Sequence, residues 1–167
     1  FEADLDMRMN QDSDLSAYHV INDYEEEQLK SVFLQYGELR AGAGMARLIV
    51  DYRETEKIVT SSQLKMVLKK YLPPRYENKV LAQIYQAIRI EVNQEIAVLK
   101  EFLQQTPELL KPEGRLSFIS YHSLEDRLVK RFIRNGMFEG EPERDVFGNF
   151  EVPLKKVGGL QIPSKEE

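Results

Sequence analysis

Apolar residues recur at helical spacing along most of the chain. Leu29, Val32, Phe33 and Tyr36 stand at i, i+3, i+4 and i+7, which places one apolar face on a helix predicted from Tyr24 to Tyr36. Asn22 and Glu25 are spaced as a capping box at its start, and Gly37 supplies the stop. Met45, Leu48, Ile49 and Tyr52 repeat the spacing. Leu64, Val67, Leu68 and Tyr71 repeat it again after Thr60 and Gln63, a second capping pair, until Pro73-Pro74 ends the run. A longer helix is predicted from Asn78 to Gln105, stopping near Pro107, with Leu81, Ile84, Tyr85, Ile88, Val92, Ile96, Leu99 and Leu103 on its buried face.

The period changes after the turn signal Lys111-Pro112-Glu113-Gly114. Leu116-Ser117-Phe118-Ile119-Ser120-Tyr121 is short, apolar-rich and bounded by turn residues, so it predicts a strand. Ser123, three residues before Asp126, caps a helix running through Arg134 with Leu124, Leu128 and Phe132 inward. Helix, strand and helix in that order are a fragment of an α/β sheet. Residues 135–167 hold five of the nine glycines and three of the seven prolines, which predicts loops and short edge strands. One strand cannot satisfy its own backbone donors and acceptors. Its partners are expected from residues 1–9 and the C-terminal tail, or from strands preceding Phe1.

Composition narrows the class. The chain has 167 residues, 42% of them apolar, enough for one domain or a domain with a small lobe and too many for a mainly disordered chain. With 31% charged residues, no apolar run near twenty and no leader at the start, a membrane-spanning protein is not expected. The absence of cysteine removes thiolate metal sites, cysteine nucleophiles and disulfide frameworks, and fits a cytoplasmic location. The two histidines, His19 and His122, lie far apart, so no metal is expected. The start at Phe1 suggests a piece of a longer protein. The net charge of −5 argues at first against a nucleic-acid partner. Residues 1–30, however, carry nine acidic residues against Arg8 and Lys30, a balance of −7, so the other residues carry +2. Lys111 to Arg134 holds six bases and three acids, and a basic patch can coexist with an acidic end.

Four motifs carry candidate chemistry, each with a plain structural alternative. His122-Ser123-Leu124-Glu125-Asp126-Arg127 follows the carboxyl end of the predicted strand, the edge at which open α/β sheets bind ligands; the alternative is a helix cap beside a surface histidine. Gln86, Arg89 and Asn93 form a polar stripe that could bond a flat polar ligand or another domain, or could simply be solvated. Arg127, Lys130, Arg131 and Arg134 share one helix face, suited to phosphate or to the helix dipole. Asp4-Leu5-Asp6-Met7-Arg8-Met9 sets two carboxylates beside an arginine, with a salt-bridged loop as the alternative. Two apparent motifs are set aside. Gly42-Ala43-Gly44 puts Arg47 where a dinucleotide fingerprint needs Gly or Ala, and Leu72-Pro73-Pro74-Arg75-Tyr76 reads as a helix stop rather than an amino-methyltransferase tetrapeptide.

Taken together, several strings resemble the ribosomal RNA small-subunit methyltransferase H family, also called MraW. They are Leu5-Asp6-Met7-Arg8-Met9, Tyr36-Gly37-Glu38, Gln86-Ala87-Ile88-Arg89-Ile90 with Val92-Asn93-Gln94-Glu95, and Gly114-Arg115-Leu116 through Ile119-Ser120-Tyr121 to Arg127. The similarity covers almost the whole chain and is weakest from residue 135 onward. Asp4 departs from the family's usual proline and Leu39 from its frequent Glu. The resemblance implies an α/β fold, a partial Rossmann-type (class I) methyltransferase domain with an all-helical insertion. Residues 1–9 would end its first half, 10–77 would be a substrate-recognition insertion, and 78–167 a truncated second half. The family's early strands and glycine-rich cofactor loop would precede Phe1.

The implied activity is transfer of a methyl group from S-adenosylmethionine to the exocyclic N4 of a cytidine in 16S rRNA. It belongs to the complete protein, and this chain alone is expected to be inactive. Cytosine N4 is a poor nucleophile, so the enzyme must hold it in line and accept hydrogen bonds from its N–H groups, with the base unpaired or extruded. On the resemblance, His122, Ser123 and Asp6 are the catalytic candidates. Arg8, Gln86, Arg89, Asn93, Arg127, Lys130 and Arg131 are the substrate-binding candidates, with no cofactor-binding residue assigned. The partner would be 16S rRNA or the small ribosomal subunit, with a homo-oligomer possible. The other classes left open are a non-enzymatic helical RNA-binding or interaction module and a structural partner that completes another chain's sheet.

Overall fold

The computed structural model describes residues 2–158, and its regular structure among them is helical. In chain order the elements are α1 (Ala17–Asp23), α2 (Glu26–Gln35), α3 (Gly42–Arg53), α4 (Ser61–Val67) with the 3-10 turn Leu68–Tyr71, α5 (Glu77–Val92), α6 (Glu95–Leu109) and α7 (Ser123–Asn135). Two compact units divide at Glu95 and Ile96. The first therefore takes in α5, from the stretch that the sequence reading assigned to a second half-domain.

Local chemistry places the helix starts, in two cases away from their expected residues. Thr60 and Gln63 form the expected capping box, with Gln63 N–H donating to Thr60 Oγ1 at 3.2 Å and Thr60 N–H to Gln63 Oε1 at 3.1 Å. The cap expected from Asn22 and Glu25 is instead made by Glu25 and Gln28, whose Oε1 accepts the Glu25 N–H at 2.8 Å. Asn22 belongs to α1, an element absent from the periodicity, and α1 opens with His19 Nδ1 reaching back to the Ser16 N–H at 3.2 Å. Gly37 keeps negative φ, and the left-handed residue of that turn is Glu38, at φ 52°. Gly37 is needed for close approach, since a Cβ there would sit 2.9 Å from the Phe33 carbonyl oxygen and 3.2 Å from Ala87 Cβ.

In the first unit, Ile21, Phe33, Met45, Ile49, Leu64 and Ile88 are fully buried in one apolar cluster contributed by α1 to α5. Each such side chain contributes about 1.5–3 kcal/mol of transfer free energy. Asn22 is buried among them and acts as a surrogate backbone. Its Oδ1 accepts the Ile58 N–H at 2.9 Å, and its Nδ2 donates to Ile58 O at 2.8 Å and Tyr18 O at 3.0 Å. Ile58 lies in a non-helical stretch, and the amide satisfies both of its buried backbone groups.

The single helix expected from 78 to 105 is two helices. Asn93 ends α5 and Gln94 adopts φ 50°, so α6 starts afresh at Glu95. Periodicity could not show the break, because apolar spacing continues across it. Asn93 keeps its backbone bond to Arg89 O as the C-cap, and its side chain bonds the N-terminal segment, as described below. Pro107 lies within the last turns of α6, beyond the expected stop, and Thr106 Oγ1 donates to Phe102 O at 2.7 Å beside it.

The second unit, residues 96–158 as described, packs Leu103, Val129 and Phe132 into a small core, with Phe138 stacked on Phe132 at a ring separation of 4.9 Å. Val129 rather than Leu124 faces inward on α7. The strand expected over 116–121 is not formed: the segment is irregular, with Ile119 81% and Tyr121 92% exposed. No other segment among the described residues offers a ladder to this one, and a strand needs a neighbour to pair its backbone donors and acceptors. The bridge that residues 1–9 do make is not the expected one: Asp4 pairs with Thr60, in an isolated antiparallel bridge. The expected edge strands of the tail are absent over 135–158, where the ordered feature is a turn with Asp145 Oδ1 accepting the Phe147 and Asn149 N–H groups at 2.9 and 2.7 Å. Residues 159–167 lie outside the described residues.

Candidate functional site

The N-terminal segment is stitched in place from two sides. Leu5 N–H donates to Val59 O at 2.9 Å and Ser61 N–H donates to Ala3 O at 2.8 Å. On the other side the carbonyls of Asp6 and Leu5 accept the Ala17 and Tyr18 N–H groups, each at 2.7 Å, so the segment satisfies the first-turn donors of α1. Residues 6–9 then form a tight loop in which Met7 is left-handed at φ 61°, an unfavourable conformation for a side-chain-bearing residue.

Asn93 holds that loop. Its Nδ2 donates to Met7 O at 2.9 Å and its Oδ1 accepts the Met9 N–H at 2.7 Å, a two-sided clamp between α5 and the segment. Arg8 grips Asp6 through Nε to Oδ1 at 2.6 Å and Nη2 to Oδ2 at 3.0 Å, and its Nη1 reaches Gln11 O and Ser13 O at 3.0 and 2.9 Å. The hydrogen bonds from the Arg8 side chain and backbone hold the Asp6 carboxyl below the usual carboxylate range, so it is an ionised acceptor at neutral pH.

Between this loop and α5 lies an open cleft of about 420 Å³, lined by Met7, Met9, Ala82, Tyr85, Gln86 and Arg89. Gln86 Nε2 donates to Tyr36 O at 3.3 Å, and Arg89 is paired to Glu95 at 2.8 and 3.1 Å. Tyr85 donates to Ser61 O at 3.2 Å, and burial pushes its phenol above its ordinary pKa, so it stays protonated. Five sequence candidates, Asp6, Arg8, Gln86, Arg89 and Asn93, are thus brought together, although more than seventy positions separate the two groups in the chain. Asn93 serves as the clamp, and Arg8 is occupied in holding Asp6. Sequence reasoning missed Met7, Met9, Ala82 and Tyr85 as cleft walls. Tyr85 carried a signal, an apolar helical position with a polar tip, but it read as core.

The remaining candidates belong to the second unit. His122 is the N-cap of α7, in place of Ser123: its Nδ1 accepts the Glu125 N–H at 3.4 Å, and Glu125 Oε2 accepts the Tyr121 N–H at 2.9 Å. With Nδ1 as acceptor, the neutral ring carries its proton on Nε2, which lies 3.2 Å from Glu125 Oε1. Along the basic face, Lys130 is paired with Asp126 at 2.8 Å and Arg131 Nη2 donates to Gly140 O at 2.7 Å, while Arg127 and Arg134 are exposed.

Residues 1–157 match the MraW methylase family along nearly the whole chain. The chain belongs to that family. Among curated relatives, the Ribosomal RNA small subunit methyltransferase H of Christiangramia forsetii is 67% identical and that of Flavobacterium johnsoniae 64% identical, each over the full chain and 55% of the relative. The protein of the same name from Amoebophilus asiaticus is 48% identical over 99% of the chain and 54% of the relative. The chain therefore spans about half the length of the curated relatives it matches. Membership implies a class I methyltransferase fold and a cofactor of the S-adenosylmethionine type. No helix among the described residues is long and apolar enough to cross a membrane.

The described residues do not themselves make a cradle for such a cofactor. Gly42 and Gly44 lie within α3, where an added Cβ would press on Phe33 at 3.0 Å and on the Tyr71 hydroxyl respectively. They are packing glycines of a helix, as their sequence context suggested. No described glycine-rich turn joins a strand to a helix.

Proposed function

We propose that the protein containing this chain is an S-adenosylmethionine-dependent methyltransferase that modifies the exocyclic N4 of a cytidine in 16S rRNA, in the cytoplasm and on the small ribosomal subunit or its RNA. The observation that carries the reading is family membership over residues 1–157, with relatives bearing the rRNA methyltransferase name at 64% and 67% identity. It favours the enzyme over a helical binding module. In this reading residues 1–9 end the first half of the methyltransferase domain, 10–77 are a substrate-recognition insertion and 78–167 belong to the second half. Residues 116–121 become a strand when neighbours pair with them; their exposed apolar side chains and position just before a capped helix support this.

The bound cofactor supplies a sulfonium methyl group. The chain's own residues act on the other reactant. Asp6, kept ionised by Arg8, accepts an N–H from the amino group of the target and stabilises the positive charge on N4 until the N4 proton passes to solvent water. Gln86 and Arg89 orient the nucleotide, and Arg127, Lys130 and Arg131 meet RNA phosphate once their local pairs are exchanged. The charge balance of the transfer calls for no metal. His122 and Ser123, in the second unit, are the remaining catalytic candidates, and His122 is fixed by its capping bond.

The test uses the complete protein with small subunits that lack the modification, followed by nucleoside mass spectrometry. N4-methylcytidine is expected, and its absence under conditions of intact folding overturns the reading. In the same assay His122→Ala is expected to reduce turnover. His122→Asn, which can restore the cap, is expected to recover helix stability but not turnover; full recovery of turnover would leave His122 a structural cap.

A further inference from the structure

We infer that the cleft between residues 7–9 and α5 seats an unpaired pyrimidine base, and that Gln86 Oε1 selects a base bearing an exocyclic amine, cytosine over uracil. The inference rests on the rRNA reading for its substrate class and goes beyond it in naming the base seat and the residue that discriminates. At about 420 Å³ the cleft is within the range of small-ligand sites. Its walls suit a flat ring: the Met7 and Met9 thioethers are polarisable and adaptable, Ala82 presents a methyl group, and Tyr85 an aromatic face. Met9 is 70% exposed although its backbone is held by Asn93, so an apolar side chain is displayed at the mouth by a fixed loop.

The polar wall is oriented before any ligand arrives. The acceptor opposite the Gln86 amide is the Tyr36 carbonyl, which can only accept a hydrogen bond. That partner requires Nε2 to face Tyr36 and leaves Oε1 as the end of the amide open to a ligand. An oxygen in that position accepts an N–H from the amino group of cytosine. Against uracil it meets another oxygen at the corresponding ring position, and both are left without a donor. Tyr85 is tied to Ser61 O and Arg89 to Glu95, so neither wall needs to reorganise to admit the base.

The experiment compares two single-stranded pentaribonucleotides, all-uridine and uridine with a central cytidine, titrated into the 167-residue chain with its methionine methyl groups isotopically labelled. The cytidine oligonucleotide is expected to bind roughly tenfold more tightly and to shift the Met7 and Met9 methyl resonances. Gln86→Leu is expected to erase the preference, whereas Gln86→Glu, which keeps an acceptor, retains it. Met9→Ala, a change at an exposed side chain that leaves the fold intact, is expected to weaken both oligonucleotides. Equal affinities, a preference that survives Gln86→Leu, shifts confined to other methionines, or no binding of either probe would each overturn the assignment. Methylation of 16S rRNA by the complete protein without this discrimination would sink the assignment and leave the enzymatic reading standing. Discrimination without any methylated cytidine would do the reverse.

Discussion

Replacing Asn22 by alanine tests how the site is supported from a distance. Asn22 is 3% exposed and bonds both backbone groups of Ile58, itself fully buried. Truncation strands one donor and one acceptor, each costing about 1–3 kcal/mol when left unsatisfied, for a combined loss of about 4 kcal/mol. A water molecule entering the vacated polar space recovers part of this, so the expected net loss is about 3 kcal/mol. That is a large share of the ~5–15 kcal/mol typical of a domain, and in urea it lowers the unfolding midpoint by about 1–2 M. The damage should propagate: Val59, next to Ile58, holds the Leu5 N–H at 2.9 Å, and Leu5 leads directly into the Asp6–Met9 loop. Hydrogen exchange at the Leu5 amide is therefore expected to accelerate in Asn22→Ala. A loss below about 1 kcal/mol, with Leu5 protection unchanged, would refute the view that this one amide replaces a missing backbone partner.

Asp6 has its pKa lowered by Arg8, so the contribution of the pair is present above the unfolded carboxylate value and is lost as pH falls through the lower folded value. Carboxyl-carbon NMR should place the Asp6 midpoint below the ordinary value near ~3.9, and Arg8→Gln should raise it toward that value, the residue 8 backbone N–H still donating to Oδ1; an unshifted midpoint in the parent chain contradicts the pairing. Gly37→Ala places a methyl group 2.9 Å from the Phe33 carbonyl oxygen and against Leu39, and is expected to cost about 1–3 kcal/mol in thermal or urea unfolding despite alanine's narrower unfolded ensemble. Calorimetric titration of this chain with S-adenosylmethionine is expected to give a Kd no tighter than about 1 mM, because the described residues hold no nucleoside cradle; micromolar binding would contradict that.

Much of the helical content was legible because an amphipathic face and a cap are local signals. The Thr60–Gln63 box and the apolar stripes of α2, α3 and α5 all depend on residues within a few positions of one another. The family was legible for a similar reason, since its strings are contiguous. The break at Asn93 was not legible, because the chain turns at the left-handed Gln94 and the Asn93 side chain bonds Met7 and Met9, more than eighty residues away, with no local interruption of the apolar spacing. Asn22 was read as a cap for want of any local sign that its partner is Ile58. The strand at 116–121 was read from its composition, but a strand forms only when another backbone is available to pair with it.

The linear order of residues was enough to establish a charged, cysteine-free chain of short amphipathic helices carrying the MraW strings, since these are properties of neighbours. Which polar residues became structure and which were left to line a cleft was settled by long-range contact. Asn93 and Arg8 were drawn into holding the loop, His122 into capping a helix, and Gln86 into bonding Tyr36, while Tyr85 and the two methionines were set around open space. The physical reason is that a buried or strained backbone group takes the nearest side chain able to satisfy it, and what is nearest is known only once the chain has folded back on itself.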